Sequence, residues 1–593
     1  MLALALLCLG QIDTATVATT TLTPELFAAP ITTFFEAEDE PAPFELRWGG
    51  ALQSNVRYRY QDKSVGEWFD RRAFRPGIDR NEHIVKLKLR AGNDRFRGVI
   101  DVDLVWLGRS RDVATLGDLT LRERAEPTRF EAHAAYVEAL DIFLPGLDLR
   151  VGQQIVSWGV GDQFNPTNNL NANDVEDKLL FGAQQANLMA RLDYTISDRL
   201  ALQGVLVPVF RPALLPASAP LGVALVDRLP HVDPALRQRI LAETAAARIF
   251  GFPTVVETAN VALPENTWRD AQVGLRVAAT LFEQDIALSW YRGRTDIPFA
   301  ADNFTRQVMA ESCNPNDSTE CIDGQLRTTV TLSYPQLQVV GLNLSGEVDL
   351  LGWATDAIQP LGYRVELGVY FPKAQRLAMR QTEVVFLGAT RPAGEYAYPG
   401  GERPLVLDDQ PFAKWVVGLD YTFNEYFYTN VQWVHGLVDE LGAGDFLSEG
   451  FVSRAGGVSS TDDETLTCAV TDQSGERCAK ETLRRRLGDY LVWGLDFHFD
   501  SDRGLLRLFT IFDLTGIVEE SWSRRESRRI RTSYAPWTPE GYSLVLFPEL
   551  NYNFGNGLEL GGGALMQLGK PYSKFGDPAA GGSVFWTRAR YSF

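Results

Sequence analysis

Nowhere in the 593 residues is there a run approaching the roughly 20 consecutive apolar residues that a membrane-crossing helix needs, which excludes an α-helical membrane protein. Linkers, low-complexity tracts and long-period repeats are also missing, so one large closed structure is the simpler reading than a string of small domains. Histidine is scarce. His83, His133, His231, His435 and His498 stand far apart with no metal-ligand spacing, and no nucleophile motif accompanies them. The expectation is therefore no catalytic residue, no metal and no cofactor, with the histidines as satisfied wall residues. Positive charge is in deficit: the net charge of −19 repels phosphate and argues against nucleic-acid binding. The acid gathers outside the predicted strands, at Glu36, Glu38, Asp39 and Glu40, at Asp174, Glu176 and Asp177, and at Asp462, Asp463 and Glu464, as in soluble loops. A lumen of different sign stays open.

Cysteine is also rare. After Cys8 only Cys313, Cys321, Cys468 and Cys478 remain, each pair inside a polar loop. Local Cys313–Cys321 and Cys468–Cys478 disulfides are the natural pairing among the three that four cysteines permit, and oxidation suits a periplasmic route. Residues 1–18 read as an export signal: Leu2 to Leu9 give its apolar core, without a basic start, and Thr16-Val17-Ala18 offers small residues for cleavage. A lipoprotein reading of Cys8 is weakened by the bulky Leu7. Residues 19–44 read as a periplasmic amino-terminal segment and 45–593 as the main body.

What the chain has in quantity is ten-residue stretches of alternating polarity, rich in aromatic and β-branched residues and separated by Gly, Asn and Asp. That is the pattern of a transmembrane antiparallel β-barrel. Strands are predicted over 45–60, 83–91, 95–108, 129–140, 145–157, 186–195, 199–210, 267–281, 285–293, 326–347, 361–371, 413–424, 426–435, 488–499, 503–514, 541–553, 556–567 and 582–593. Short connections near Ala91–Asp94, Phe143–Gly146, Ile196–Asp198, Glu283–Gln284, Asn424–Glu425, Asp500–Asp502 and Gly555–Asn556 are periplasmic turns on this reading, with long loops outside. Eighteen strands with both termini periplasmic satisfy that parity, provided Leu326–Glu347 is one long strand continuing past Pro335, a residue tolerated at a bulge or beyond the membrane band. Faces follow. Lys414, Gly418, Asp420 and Thr422 alternate with Trp415, Val417, Leu419 and Tyr421, as Lys86, Lys88 and Arg90 do with Val85, Leu87 and Leu89. Arg150, Asp496 and Arg507 join the first set as lumen candidates. Trp106, Trp415 and Trp433 fall near strand ends, where indoles favour the membrane interface.

The carboxyl end, Arg588-Ala589-Arg590-Tyr591-Ser592-Phe593, resembles the terminal strand of outer-membrane barrels, in which a last Phe preceded two residues earlier by an aromatic is read by the barrel assembly machinery. Arg150-Val151-Gly152-Gln153-Gln154-Ile155-Val156-Ser157-Trp158-Gly159, then Asp162 to Leu170 and Val205 to Pro212, resemble the large proteobacterial barrels related to alginate-export porins. The resemblance implies an outer-membrane barrel amid lipid and lipopolysaccharide, and implies little about cargo.

Two loops stand out. Within 211–266, Asp233 can cap and Pro234 start a helix over Ala235 to Phe250, whose Leu236, Ile240, Leu241 and Ile249 need a surface to cover. A lid over the barrel mouth is favoured over docking to a partner. The Asn-rich loop from Gly159 to Gln185 can fold inward and constrict the lumen. Its Asn171, Asn173, Asp174 and Glu176 suit Asx turns better than calcium. Arg484, Arg485 and Arg486, with Arg524, Arg525, Arg528, Arg529 and Arg531, are expected to share an extracellular basic patch that pairs with loop acids, holds lipopolysaccharide phosphate or guides an anion. Two functional classes follow: a channel for a polar, anionic solute or polymer, and a structural barrel anchoring an envelope-spanning secretion or motility machine.

Overall fold

A computed structural model describes residues 44–62, 75–108, 127–216, 219, 254–308, 325–349, 359–386, 389–396, 398, 401–444, 446–448, 477–523, 528–570, 572–577 and 580–593. The export-signal reading, the predicted helix, Cys313, Cys321, Cys468, Arg524 and Arg525 lie outside them. Phe44–Phe593 form one unit.

Eighteen strands close on themselves. In chain order they are β1 (Glu45–Arg59), β2 (Gly77–Gly92), β3 (Phe96–Leu107), β4 (Thr128–Ala139), β5 (Leu147–Gln154), β6 (Asn187–Ser197), β7 (Leu200–Val207), β8 (Gln272–Leu281), β9 (Gln284–Arg294), β10 (Gln336–Val348), β11 (Leu361–Pro372), β12 (Phe412–Thr422), β13 (Phe427–His435), β14 (Asp489–Phe499), β15 (Gly504–Asp513), β16 (Ser543–Asn553), β17 (Leu558–Gly569) and β18 (Val584–Ser592). Each pairs antiparallel with its sequence neighbours, and β18 closes on β1 with Ala51 opposite Ser592 and Arg59 opposite Val584. Phe593 extends that seam: its backbone exchanges two 3.0 Å hydrogen bonds with Gly50, and its ring meets Trp48 edge-on at 6.2 Å.

One end carries tight turns and both ends of the barrel chain. Asn93 and Asn424 cap their turns by accepting from the amides two and three residues on, and Phe282 and Glu283 adopt φ of 53° and 64°, as a two-residue hairpin requires. The other end carries the long connections. There, Thr254–Val261, Phe299–Val308, Gln325–Ser333, Ala378–Gln381 and Gly394–Glu395 build a five-stranded sheet, and Phe446–Ser448, Arg477–Arg485, Ile517–Ser523 and Arg528–Tyr534 a four-stranded one.

The expected single strand over Leu326–Glu347 is broken. Gln325–Ser333 belongs to the five-stranded sheet and only Gln336–Val348 to the barrel, with the break at Tyr334-Pro335. Proline has no amide to give a ladder, and here its carbonyl accepts from Thr295 while Tyr334 is buried. One half leaves the barrel, so the count of eighteen stands.

The outward faces are apolar and open: Leu52, Leu104, Val137, Leu288, Leu419 and Leu550 are all exposed. Such a continuous apolar belt inverts a water-soluble surface. Inside, the half nearer the loops is packed by Val205, Val339, Val416, Val492, Ile511, Val545 and Val584. The half nearer the turns carries ion pairs, among them Arg507–Asp496, Arg364–Asp420 and Arg588–Glu559.

Candidate functional site

Residues 155–186, between β5 and β6, do not cover the barrel mouth; they cross its interior. Asn171 closes the base, accepting from Val156 N at 2.8 Å and donating to the carbonyls of Gln154 (3.0 Å) and Gln185 (2.9 Å). Trp158 then bears on β8 at Gly274, where a Cβ would come within 2.5 Å of its ring, and Thr167 lies on β10 at Gly341, where a Cβ would come within 2.6 Å of its methyl. These positions must lack a side chain for the loop to bed down.

Glu366 of β11 holds the first bend. Its fully buried carboxylate accepts from Val160 N (2.9 Å), Gly161 N (3.1 Å), Thr167 N (2.7 Å) and Thr167 Oγ1 (2.8 Å). Four donors are what a buried charge needs in place of water. Next to it Asp162 pairs with Arg364 at 2.5 Å, and its amide donates to Gln432 at 3.0 Å. Across the lumen Phe181 packs on Phe509 with centroids 5.3 Å apart.

The tip reaches β1 and β2. Asp177 takes both Arg57 nitrogens at 2.5 Å and Arg80 at 3.2 Å. Burial opposes its ionisation, but these guanidiniums outweigh that and hold its carboxyl below the usual range. Beside it Lys178 donates to the Gly581 carbonyl at 3.1 Å and also to Gly582. Burial, with the Arg59 charge, pushes its ammonium down to about 7. Asp174 and Asp177 each accept from the amide two residues on, as expected of Asx turns.

On the loop-end side of this crossing is a cavity of about 690 Å³. Its wall holds ten Lys and Arg (Arg57, Arg59, Arg80, Lys178, Arg211, Arg294, Lys414, Arg484, Arg486, Lys574) against eight Asp and Glu, a formal surplus of two positive charges with the depressed Lys178 counted as charged, on a chain of net −19. Among the described residues some of these cations hydrogen-bond to carbonyl or amide oxygens and to no carboxylate: Arg211 donates to Gln185 and Ala186, and Lys414 to the Leu437 carbonyl at 2.6 Å. Glu440 closes the far wall, accepting from Leu437 N (3.1 Å), Gly488 N (2.9 Å) and Arg484 (3.0 Å). Burial works against its charge, yet Lys574 and Arg484 hold its pKa far below the ordinary value.

No hydrogen bond joins residues 155–186 to β3 or β4 among the described residues. That sector, with the neighbouring faces of β2 and β5, is lined by Lys86–Asp103 (2.8 Å), Lys88–Asp101 (3.0 Å), Arg129–Glu131 and Arg150–Glu138 (2.6 Å). The lumen is filled from one side.

Lys86, Lys88, Arg90, Arg150, Lys414, Asp420, Asp496 and Arg507 all occupy inward positions of the alternation. Lys414, however, is buried beneath residues 436–444 and is not in open water. The arginine cluster divides: Arg484 and Arg486 are 5 % exposed and point into the cavity wall, while Arg485 and Arg531 stay outside. Alternation in the strand Arg477–Arg485 turns Arg484 inward, where Glu440 and Asp513 at 3.5 Å neutralise it. Of the expected disulfide cysteines only the backbone of Cys478 falls within the described residues. Sequence reading missed Glu366, Arg57 and Arg80 as loop anchors. A lone carboxylate within an apolar stretch, Val365-Glu366-Leu367, was the available signal for the first.

No family model and no curated protein matches this chain. Among solved structures it is similar to OccAB3 of Acinetobacter baumannii (10 % identity over 93 % of this chain and 99 % of that one, TM-score 0.42), OccK11 (OpdR) of Pseudomonas aeruginosa (9 %, 92 % and 95 %, 0.39) and OmpT, an outer membrane protein of Vibrio cholerae (9 %, 93 % and 98 %, 0.30). The resemblance of Leu149 to Pro216 to alginate-export porins finds no support in these comparisons. Likenesses this distant carry no argument about function; the barrel's own closure and interior must.

Proposed function

We propose that this chain is an outer-membrane channel for small polar solutes with a preference for anions, its turn end in the periplasm and its long loops outside. The observation that carries the reading is the inward crossing of residues 155–186, which narrows the lumen below a cavity with a cationic surplus. A lipid-facing apolar belt supports the membrane location. Guanidinium and ammonium groups of the cavity that meet oxygens of neutral groups among the described residues, such as Arg211 and Lys414, suit carboxylate and phosphate oxygens, and fixed charge in a low-dielectric wall enriches the opposite ion.

Purified protein in a planar bilayer, under a potassium chloride gradient, tests this. The expected result is discrete conductance steps with a reversal potential of the sign for chloride over potassium. A folded barrel with no conductance would overturn the channel and favour an envelope scaffold, while cation selectivity would overturn the anion preference alone.

A further inference from the structure

The pairing of β3 with β4 contains a bulge. Asp101 stands opposite Ala134 and Val102 opposite Ala132, so His133 is the extra residue. Below it the inward set on β4 is Tyr136 and Glu138; above it the alternation is reset, and Glu131 and His133 turn to the lumen beside Asp103 of β3. One ligand atom from each of Asp103, Glu131 and His133 lies within 4.8 Å of the other two. His133 Nε2 is 3.3 Å from Asp103 Oδ2, the oxygen that also takes Lys86 at 2.8 Å. Asp103 is 3 % exposed, and its Oδ1 is buried with no hydrogen-bond partner among the described residues. A buried anionic oxygen with no donor is costly and calls for a positive partner. Glu131 and His133 keep their heads toward the open sector, with side-chain exposures of 36 % and 42 %.

We propose that Asp103, Glu131 and His133 form a binding site for a divalent cation of the zinc class on the lumen wall. One imidazole nitrogen and two carboxylates form the ligand chemistry of open zinc sites, with remaining positions for water. Metal–ligand bonds of about 2.0–2.2 Å put neighbouring ligand atoms roughly 3.5 Å apart, so the three side chains close by about an ångström. Lys86 and Arg129 neutralise the two carboxylates when no metal is bound, and the ion binds in competition with them. His435 and His498 each meet a single carboxylate, Asp489 and Asp502, and are not part of any such set among the described residues.

Untagged full-length protein in detergent is titrated with Co²⁺ as a visible-absorption probe, with folding followed by heat-modifiable gel migration. The expected result is ligand-field bands that saturate near about one equivalent, are discharged by Zn²⁺, vanish in folded His133→Ala and Asp103→Asn, and persist in His435→Ala. Lys86→Met removes a competing charge 2.8 Å from a ligand oxygen and should tighten binding by about tenfold. Absence of bands in the folded protein, their survival in His133→Ala, or unchanged affinity in Lys86→Met would overturn the site. The readout needs no ion flow, so failure here and failure to conduct are separate results.

Discussion

The wall of β10–β13 and the wall of β3–β4 share a strand alternation but have opposite interiors. On the first, Asn343, Glu366, Lys414, Val416 and Gln432 are all buried, covered by residues 155–186 or 436–444. On the second, the inward charges pair with each other and with those of β2, and apart from the buried Asp103 they keep contact with water: Asp101 meets Lys88 of β2, whose side chain is 66 % exposed. The difference lies in what each face offers a loop. Glycines at 341 and 368 and a lone carboxylate give backbone a flat bed and an acceptor, whereas closely spaced Lys, Asp, Glu and Arg satisfy one another and gain little from a visitor. A packed wall fixes the constriction, and on the proposed reading the wall left over is the passage.

The sharpest way to break this contrast is to remove the acceptor. Glu366→Leu leaves three backbone amides without their acceptor, at a cost of roughly 3 kcal/mol or more, while the Thr167 hydroxyl keeps only Asn343 at 3.1 Å. Chemical denaturation should register that loss, and single-channel records should show larger, noisier conductance as the crossing loosens. Unchanged conductance would mean the loop is held by other contacts. Gly274→Ala, whose Cβ would sit 2.5 Å from the Trp158 ring, should cost about 1–3 kcal/mol by overpacking and loosen the same loop from β8, measured in the same way.

Lys178 makes the contrast sensitive to pH. Its ammonium is docked with a pKa of about 7 against an ordinary 10.5. A depressed lysine disfavours the docked state most when it is protonated, so docking strengthens as pH rises from about 7 toward 10.5 and is weakest, and flat, below 7. Conductance should therefore increase on acidification toward pH 7, and Lys178→Met should abolish that dependence. The smallest structural effect belongs to the open wall: Lys88→Glu breaks an exposed pair of about 0–1 kcal/mol and leaves stability alone, yet should shift the reversal potential toward cations.

Much of this architecture was legible in the residues. Alternation of period two marked the barrel strands, because lipid and lumen impose opposite polarities on neighbouring side chains, and the contrast of short and long connections led to their number. The Asn-rich stretch from Gly159 to Gln185 was legible as a loop able to fold inward, though the cover of the lumen was expected of residues 211–266. What escaped depended on partners distant in sequence. The strand Gln325–Ser333 reads like barrel, but it pairs with Phe299–Val308 and Thr254–Val261 beyond the membrane band. His133 looked isolated because its neighbour Asp103 lies on another strand and the bulge that turns it inward leaves no mark in composition. Arg484 and Arg486 looked like a surface patch because Glu440, which draws the first of them inward, is some forty residues earlier.

The central claim is that solute passes along β2–β5 and not along β10–β13. Single cysteines placed at Lys88, Glu131, Gly368 and Gln432 in a background lacking the five native cysteines, probed by a charged thiol reagent during bilayer recording, test it directly. Rapid, irreversible change of current at positions 88 and 131, with none at 368 and 432, is the predicted result. Equal reactivity at all four positions, or reaction confined to 368 and 432, would contradict it.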